Sequence, residues 1–303
     1  MEDNAITIKD FEISFGKKKI IDGLSFEVKK GEIFGFLGSN GSGKTTTIRA
    51  LLGIYQPDSG ALLINGEKFS PEKSSLIGYL PEERGLYKKE SVLDVMTYFG
   101  QLKGLSKKEA RDFSKDFLRR VELEDKANTK VEKLSGGQQQ KIQLGLTIIG
   151  KPDLLILDEP TKGFDPVNRK LLMEIIEEEN ARGATIIMVT HQMEEVEKVC
   201  HRALLLKNGT KEAYGTIDEI RDKYGKNRIL VEFSGELPAS EKFKIITKEA
   251  NYAELEPLAD SQEILRELAE KIKISKFSIE KSTLNEIFLQ IYGKEEEMEV
   301  ENA

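Results

Sequence analysis

Apolar and polar positions alternate in blocks along this chain. Residues 20–53 read IIDGLSFEVKKGEIFGFLGSNGSGKTTTIRALLG. That pattern predicts a strand, a Lys-Gly turn, the apolar strand IFGFLG, a glycine-rich loop and a helix. ALLINGEKF (61–69) predicts a hairpin-like piece around its Asn-Gly turn. Residues 92–149 read mostly as helix, with Ser91/Asp94 and Ser106/Glu109 spaced as helix-start pairs. LLILDEP (154–160) and ATIIMVTH (184–191) are apolar runs of the kind buried on both faces of a parallel sheet. Between them PVNRKLLMEIIEEENARG reads as a helix closed by Gly183. Strand, helix, strand predicts a crossover unit and an α/β core, which RALLLKNGTKEAYG closes with another Asn-Gly hairpin.

The texture changes after about residue 221. RILVEFSG, FKIITK, AELEPLADSQEILRELAEKIKISKFSIEK and TLNEIFLQIYG suggest short strands and two helices. The division expected is a domain over 1–220 with a helical arm at about 88–150, and a small α+β domain over 221–296. The acidic end KEEEMEVENA reads as disordered, with residues 297–303 as a tail.

Composition narrows the classes. The chain has 303 residues, 39% of them hydrophobic, enough for a sizeable core. Its net charge of -7 argues against nucleic-acid binding through a basic surface. Cys200 is the one cysteine, which excludes an intrachain disulfide and fits a reducing compartment. MEDNAITIKD contains no apolar signal core, and no window approaches about 18 consecutive apolar residues. Any membrane role is therefore expected through a partner.

GSNGSGKT (38–45) fits G-x-x-x-x-G-K-[ST] between a strand and a helix. Such glycines let backbone N–H groups face phosphates, and the helix start adds its positive end. The expected nucleotide contacts are Gly38, Ser39, Asn40, Gly41, Ser42, Gly43, Lys44, Thr45 and Thr46. Lys44 would reach the β and γ phosphates, and Thr45 would give its hydroxyl to Mg²⁺. Asp158 and Glu159 stand at the carboxyl end of LLIL, where open α/β sheets bind ligands. Asp158 is expected to hold Mg²⁺ through its water shell, and Glu159 to polarise the attacking water. His191, ending the next strand, is placed near the γ phosphate.

LSGGQQQKIQLGLTIIG (134–150) starts a helix with Ser135 and Gln138 as a capping box. Gly136 and Gly137 are unfavourable there, at up to about 1 kcal/mol each relative to Ala. Bare N–H groups at a helix start make an anion site. Two phosphate sites in one chain point to a dimer with nucleotide between the two loops.

Taken in order, these motifs resemble the ATP-binding subunit of ABC transporters over residues 5 to about 215. GSNGSGKT resembles Walker A, LLILDE Walker B, LSGGQ the signature motif, GFD (163–165) the D-loop, and His191 the switch histidine. The fold implied is a P-loop NTPase core of ABC type with a β-subdomain and a helical arm. The resemblance implies ATP and Mg²⁺ as cofactors, Lys44, Glu159 and His191 as the catalytic set, and Phe15 in SFG as the ring that stacks on adenine. Asp165 would make an inter-subunit contact beside its role as a helix cap. Lys44 and Leu134 lie 90 residues apart, which excludes long coiled-coil relatives, and there is one cassette.

GYLPEERGLY with LNEIFLQIYG is similar to ABC-2-type exporter ATPases, specifically the sodium-efflux-like group. The implied function is an ATP-hydrolysing exporter subunit. It would dimerise around two ATP with a like or unlike second subunit, on the cytoplasmic face of the cell membrane, and drive a separate permease. A stand-alone ATPase acting on a soluble partner is the alternative.

IGYLPEERGL (77–86) on its own is a strand end and a solvated turn. The resemblance aligns Glu82 with a glutamine that contacts Mg²⁺ or its water. A carboxylate there offers acceptors only and brings negative charge toward the cation. Glu83 and Arg84 are then candidates for the partner-facing surface.

Overall fold

The computed structural model describes residues 4–83 and 85–301, with backbone alone for 293–301. Arg84 lies outside the described residues. The chain forms two compact units, residues 1–214 and 215–303.

The first unit opens with two long antiparallel strands, β1 (Asn4–Phe15) and β2 (Lys18–Lys29). The turn at 30–32 then carries the chain out of that sheet, and β3 (Ile33–Leu37), buried at every position, starts another. Helix α1 (Lys44–Leu51) follows the glycine loop. β4 (Ser59–Ile64) returns to the first sheet and pairs with β1. The hairpin expected around Asn65-Gly66 is reduced to one bridge, Ile64 with Glu67. The open edge of β1 takes β4 instead, with Ile6 opposite Ile64.

β5 (Ile77–Leu80) leads into the helical part: α2 (Val92–Leu102), α3 (Lys107–Arg120) and α4 (Gly136–Ile148). Ser91 caps α2, while Ser106 with Glu109 and Ser135 with Gln138 form complete capping boxes. Close packing fixes this bundle: a Cβ on Gly145 would lie 2.5 Å from the Phe117 ring. β6 (Leu154–Asp158), α5 (Pro166–Ala181), β7 (Thr185–Thr190), α6 (Met193–Val199), β8 (Arg202–Lys207) and β9 (Thr210–Thr216) complete the order.

The second sheet runs β5-β6-β7-β3-β8-β9 and is parallel from β5 through β8. Burial on both faces explains why IFGFL, LLIL and TIIMV carry no alternation. The core joins both sheets, and Phe26 of β2 stacks on Phe34 of β3 with ring centroids 5.7 Å apart. The carboxyl ends of β3, β6 and β7 deliver the glycine loop, Asp158 and His191 to one edge.

The second unit contains α7 (Ile217–Tyr224), β10 (Asn227–Ser234), β11 (Phe243–Lys248), β12 (Tyr252–Pro257), α8 (Ser261–Lys271), β13 (Lys273–Lys281) and α9 (Leu284–Glu301). Its antiparallel sheet, β11-β12-β10-β13, packs Val231, Phe233 and Leu255 with Ile264 and Leu268 of α8. The acidic end, read as disordered from its charge, continues α9 to Glu301. Glu and Met are good helix formers, so they extend a helix already started. Among the described residues no helix is long and apolar enough to cross a membrane.

Candidate functional site

The glycine loop is shaped by contacts that only glycine permits. At Gly38 a Cβ would lie 2.5 Å from the Leu206 carbonyl oxygen, and at Gly43, with φ of 108°, 2.4 Å from Ile21 Cδ1. The loop wraps the Lys44 amine, which donates to the carbonyls of Gly38 at 2.8 Å and Ser39 at 3.0 Å. Burial pushes the Lys44 amine below its ordinary range, while Glu159, Asp158 and Glu82 oppose that shift. Ser42 Oγ is buried in the loop with no hydrogen-bond partner. An inward amine, an orphaned hydroxyl and bare loop amides suit an anion.

Phe15, Asn40, Gly41, Gly43, Lys44, Thr45, Thr46, Glu82, Asp158 and Glu159 line one cavity of about 410 Å³. Lys18 and Ile20 complete the lining and were not singled out from sequence. Phe15 is 47% exposed, edge-on to Tyr55 at 5.2 Å, and so presents a ring at the cavity's rim.

Thr45 Oγ1 donates to Asp158 Oδ2 at 3.0 Å. Asp158 is 1% exposed, and burial lifts its carboxyl to about 6, with Glu82 and Glu159 adding to the shift and Thr45 and Lys44 opposing it. The donor set here is all oxygen, which fits Mg²⁺ with water completing its shell. Among the described residues no cluster of three or more His, Cys, Asp or Glu side chains is arranged as a metal site, so phosphate and water would supply the remaining ligands.

A raised carboxylate costs the fold stability above its folded-state value. That cost, on the order of 3 kcal/mol, is full above pH 6 and fades as pH falls toward 4. Without nucleotide or divalent cation, Asp158→Asn is therefore expected to melt several degrees higher than wild type at pH 7.5. Thermal melts repeated near pH 4.5 should show that advantage reduced to about a third.

Glu159 follows directly in the left-handed region, with φ of 50°, a costly conformation for a non-glycine residue. Its backbone N–H donates to the Val189 carbonyl at 2.8 Å, which pins the turn to β7. Glu159 Oε1 lies 2.8 Å from His191 Nδ1, and Thr190 Oγ1 donates to Oε2 at 3.4 Å. Gln192 Nε2 lies 3.2 Å from His191 Nε2. With a carboxylate on one side and an amide donor on the other, the proton belongs on Nδ1.

Glu82 reaches the same cavity, and Lys162 Nζ donates to its Oε1 at 2.6 Å. The negative charge noted from sequence therefore has a cationic partner 80 residues away. Gln143 Nε2 of α4 donates to the Glu83 carbonyl at 3.1 Å, so the helical part holds this segment too. Beside it an apolar cleft of about 530 Å³ runs between Pro81, Leu86, Phe99, Leu146 and Phe69. Ile54, which also lines it, is 58% exposed.

Ser135, Gly136 and Gly137 lie outside the Lys44 cavity, at the start of α4. Ser135 is exposed, and a Cβ on Gly137 would meet nothing within 4 Å. Packing within the chain thus gives no reason for glycine at 137. Asp165 caps α5, accepting from Asn168 N at 2.9 Å.

Residues 21–162 match the family model described as ABC transporter, and residues 215–292 the model described as ATP-binding protein DrrA1-3-like, C-terminal domain. An uncharacterized ABC transporter ATP-binding protein of Methanocaldococcus jannaschii is 41% identical over 94% of this chain and 98% of its own length. The Nod factor export ATP-binding protein I of Paraburkholderia xenovorans is 40% identical over 71% of this chain and 72% of its own. A solved structure titled as the ATP-binding subunit of an ABC transporter superposes with a TM-score of 0.69 at 31% identity, covering 73% of this chain and 93% of that one.

Proposed function

Since the chain belongs to the ABC transporter ATP-binding family, ATPases coupled to transport, we propose that it powers an ABC-2-type exporter as a dimer closing around two ATP. The observation that carries this reading is the convergence of Lys44, Thr45, Asp158 and Glu159 on one cavity, with His191 on Glu159. Phe15 stacks on the adenine. The loop from Gly38 to Thr46 wraps the phosphates, and Lys44 exchanges its carbonyl partners for phosphate oxygens. Thr45 and Asp158, with Glu82 lining the same cavity, would hold Mg²⁺, which would supply charge neutralisation at the phosphates. Glu159 takes the proton of the attacking water, and His191 fixes the carboxylate's orientation.

Ser135, Gly136 and Gly137 of one subunit cover the γ phosphate held by the other, which accounts for their place outside the chain's own cavity. Asp165 lies near the opposite site. The export direction is supported by the likeness to the Nod factor export protein. The permease docks on the apolar cleft beside Glu82 and Glu83, which holds the chain on the inner face of the membrane.

The test is isolation of the tagged full-length chain from its native membranes in mild detergent. A multi-spanning membrane protein is expected in stoichiometric amount. Ile54→Glu, in the lining of the cleft and outside the Lys44 cavity, should release the chain from membranes and leave ATP binding unchanged. Recovery with a soluble protein alone, and no membrane fraction, would favour the stand-alone ATPase and overturn the exporter reading.

A further inference from the structure

One buried carboxylate of the first unit has no part in that scheme. Glu195 lies in the first turn of α6, four residues after His191, and is 5% exposed. Its Oε2 accepts from Thr161 Oγ1 at 3.0 Å, and Thr161 is itself 3% exposed. Its Oε1 stands 3.3 Å from Arg169 Nε, an ion pair too skewed to count as a hydrogen bond.

Three segments meet at this group. Thr161 belongs to the turn that leaves Glu159, closed by Lys162 N to the Glu159 carbonyl at 3.1 Å and Phe164 N to the Thr161 carbonyl at 3.0 Å. Arg169 sits in the first turn of α5, where its N–H donates to the Asp165 carbonyl at 2.9 Å. α6 begins directly after His191 and Gln192. A first-turn glutamate favours a helix when exposed. Burying it is costly, and an apolar side chain of similar volume would pack at lower cost. Desolvation pushes the Glu195 carboxyl above its ordinary range, with Thr161 and Arg169 opposing the shift.

We propose that Glu195 is a positioning residue for hydrolysis: through Thr161 and Arg169 it clamps the 159–165 turn and the start of α5 to α6. The clamp keeps Glu159 on His191 while Asp165 stays registered at the head of α5. This rests on the hydrolytic reading of Glu159 given above. Glu195 is buried and does not line the Lys44 cavity, so it acts through the geometry of the 159–165 turn, and a small misplacement of a reacting group is enough to slow chemistry.

The test uses the full-length chain and steady-state ATPase kinetics. Glu195→Gln and Thr161→Val are each expected to lower kcat about tenfold or more, with KM for ATP within about twofold of wild type. Thr161→Ser keeps the hydroxyl and should restore nearly wild-type kcat. The double variant Glu195→Gln/Thr161→Val should be no slower than the slower single variant, as expected of groups acting together. Thermal melts and equilibrium ATP binding identify a variant that has failed to fold, and the Thr161 pair then decides the matter alone. If Glu159→Gln abolishes turnover while Glu195→Gln and Thr161→Val hydrolyse at the wild-type rate, the positioning role is wrong and the parent reading stands. If Glu159→Gln leaves turnover untouched, both fall.

Discussion

Glu159→Gln is expected to bind ATP and Mg²⁺ yet hydrolyse at least about a hundredfold more slowly than wild type, the usual span for losing a general base. The substitution is close to isosteric. The amide oxygen can still face His191 Nδ1 or Thr190 Oγ1, which lie 2.8 and 3.4 Å from the native carboxylate oxygens. The backbone, held in the left-handed region and pinned to the Val189 carbonyl, has no reason to move. What is lost is proton affinity: a neutral amide cannot take the proton of the attacking water. Binding should survive because Lys44, Thr45 and the glycine loop are untouched. With ATP present the variant should accumulate as a closed dimer, seen as a doubling of mass by light scattering. Wild-type turnover in this variant would place the base elsewhere in the site.

The sequence made some of this site legible because the constraints there are local. The glycine loop, Lys44 and Thr45 sit in one short stretch whose spacing is set by the phosphate they must wrap. Helix starts at Ser91, Ser106, Ser135 and Asp165 were readable because a cap and its partner lie three residues apart. Contacts between distant segments were not readable. Lys162 neutralises Glu82 from 80 positions away, and Glu195 reaches back 34 residues to Thr161. Nothing in IGYLPEERGL or MEEVEK announces either pairing. Chain direction also hid a topological fact. The Lys-Gly turn at 30–31 separates two strands in sequence but joins two different sheets, since β3 is apolar at every position and must be covered on both faces. For Glu82 the outcome is specific. A carboxylate in the same cavity as Asp158 is tolerable there because Lys162 is bound to it at 2.6 Å.

The start of α4 carries the second large effect, and two substitutions there separate stability from assembly. Ser135→Arg removes the N-cap, at a cost of about 1 kcal/mol, and adds bulk and a mobile cation where the proposed dimer would seat the partner's nucleotide. Gly137→Asp does the opposite to the fold. Its Cβ meets nothing within 4 Å, and an acidic side chain in the first turn favours the helix by about 0.3–1 kcal/mol, so the isolated chain should melt at the same temperature or slightly higher. Yet the carboxylate points negative charge at the incoming γ phosphate, where glycine leaves bare amides. Both variants should bind ATP within about twofold of wild type, because the cavity around Lys44 is complete without them, and both should lose at least about a hundredfold in turnover. Placed in the Glu159→Gln background, either should keep the ATP-loaded protein monomeric. Gly137→Asp decides the question, because a variant at least as stable as wild type that neither dimerises nor hydrolyses has lost the assembled site alone. Loss of ATP binding in that variant would mean that Gly137 meets nucleotide bound to its own chain, and the two-subunit arrangement would have to be abandoned.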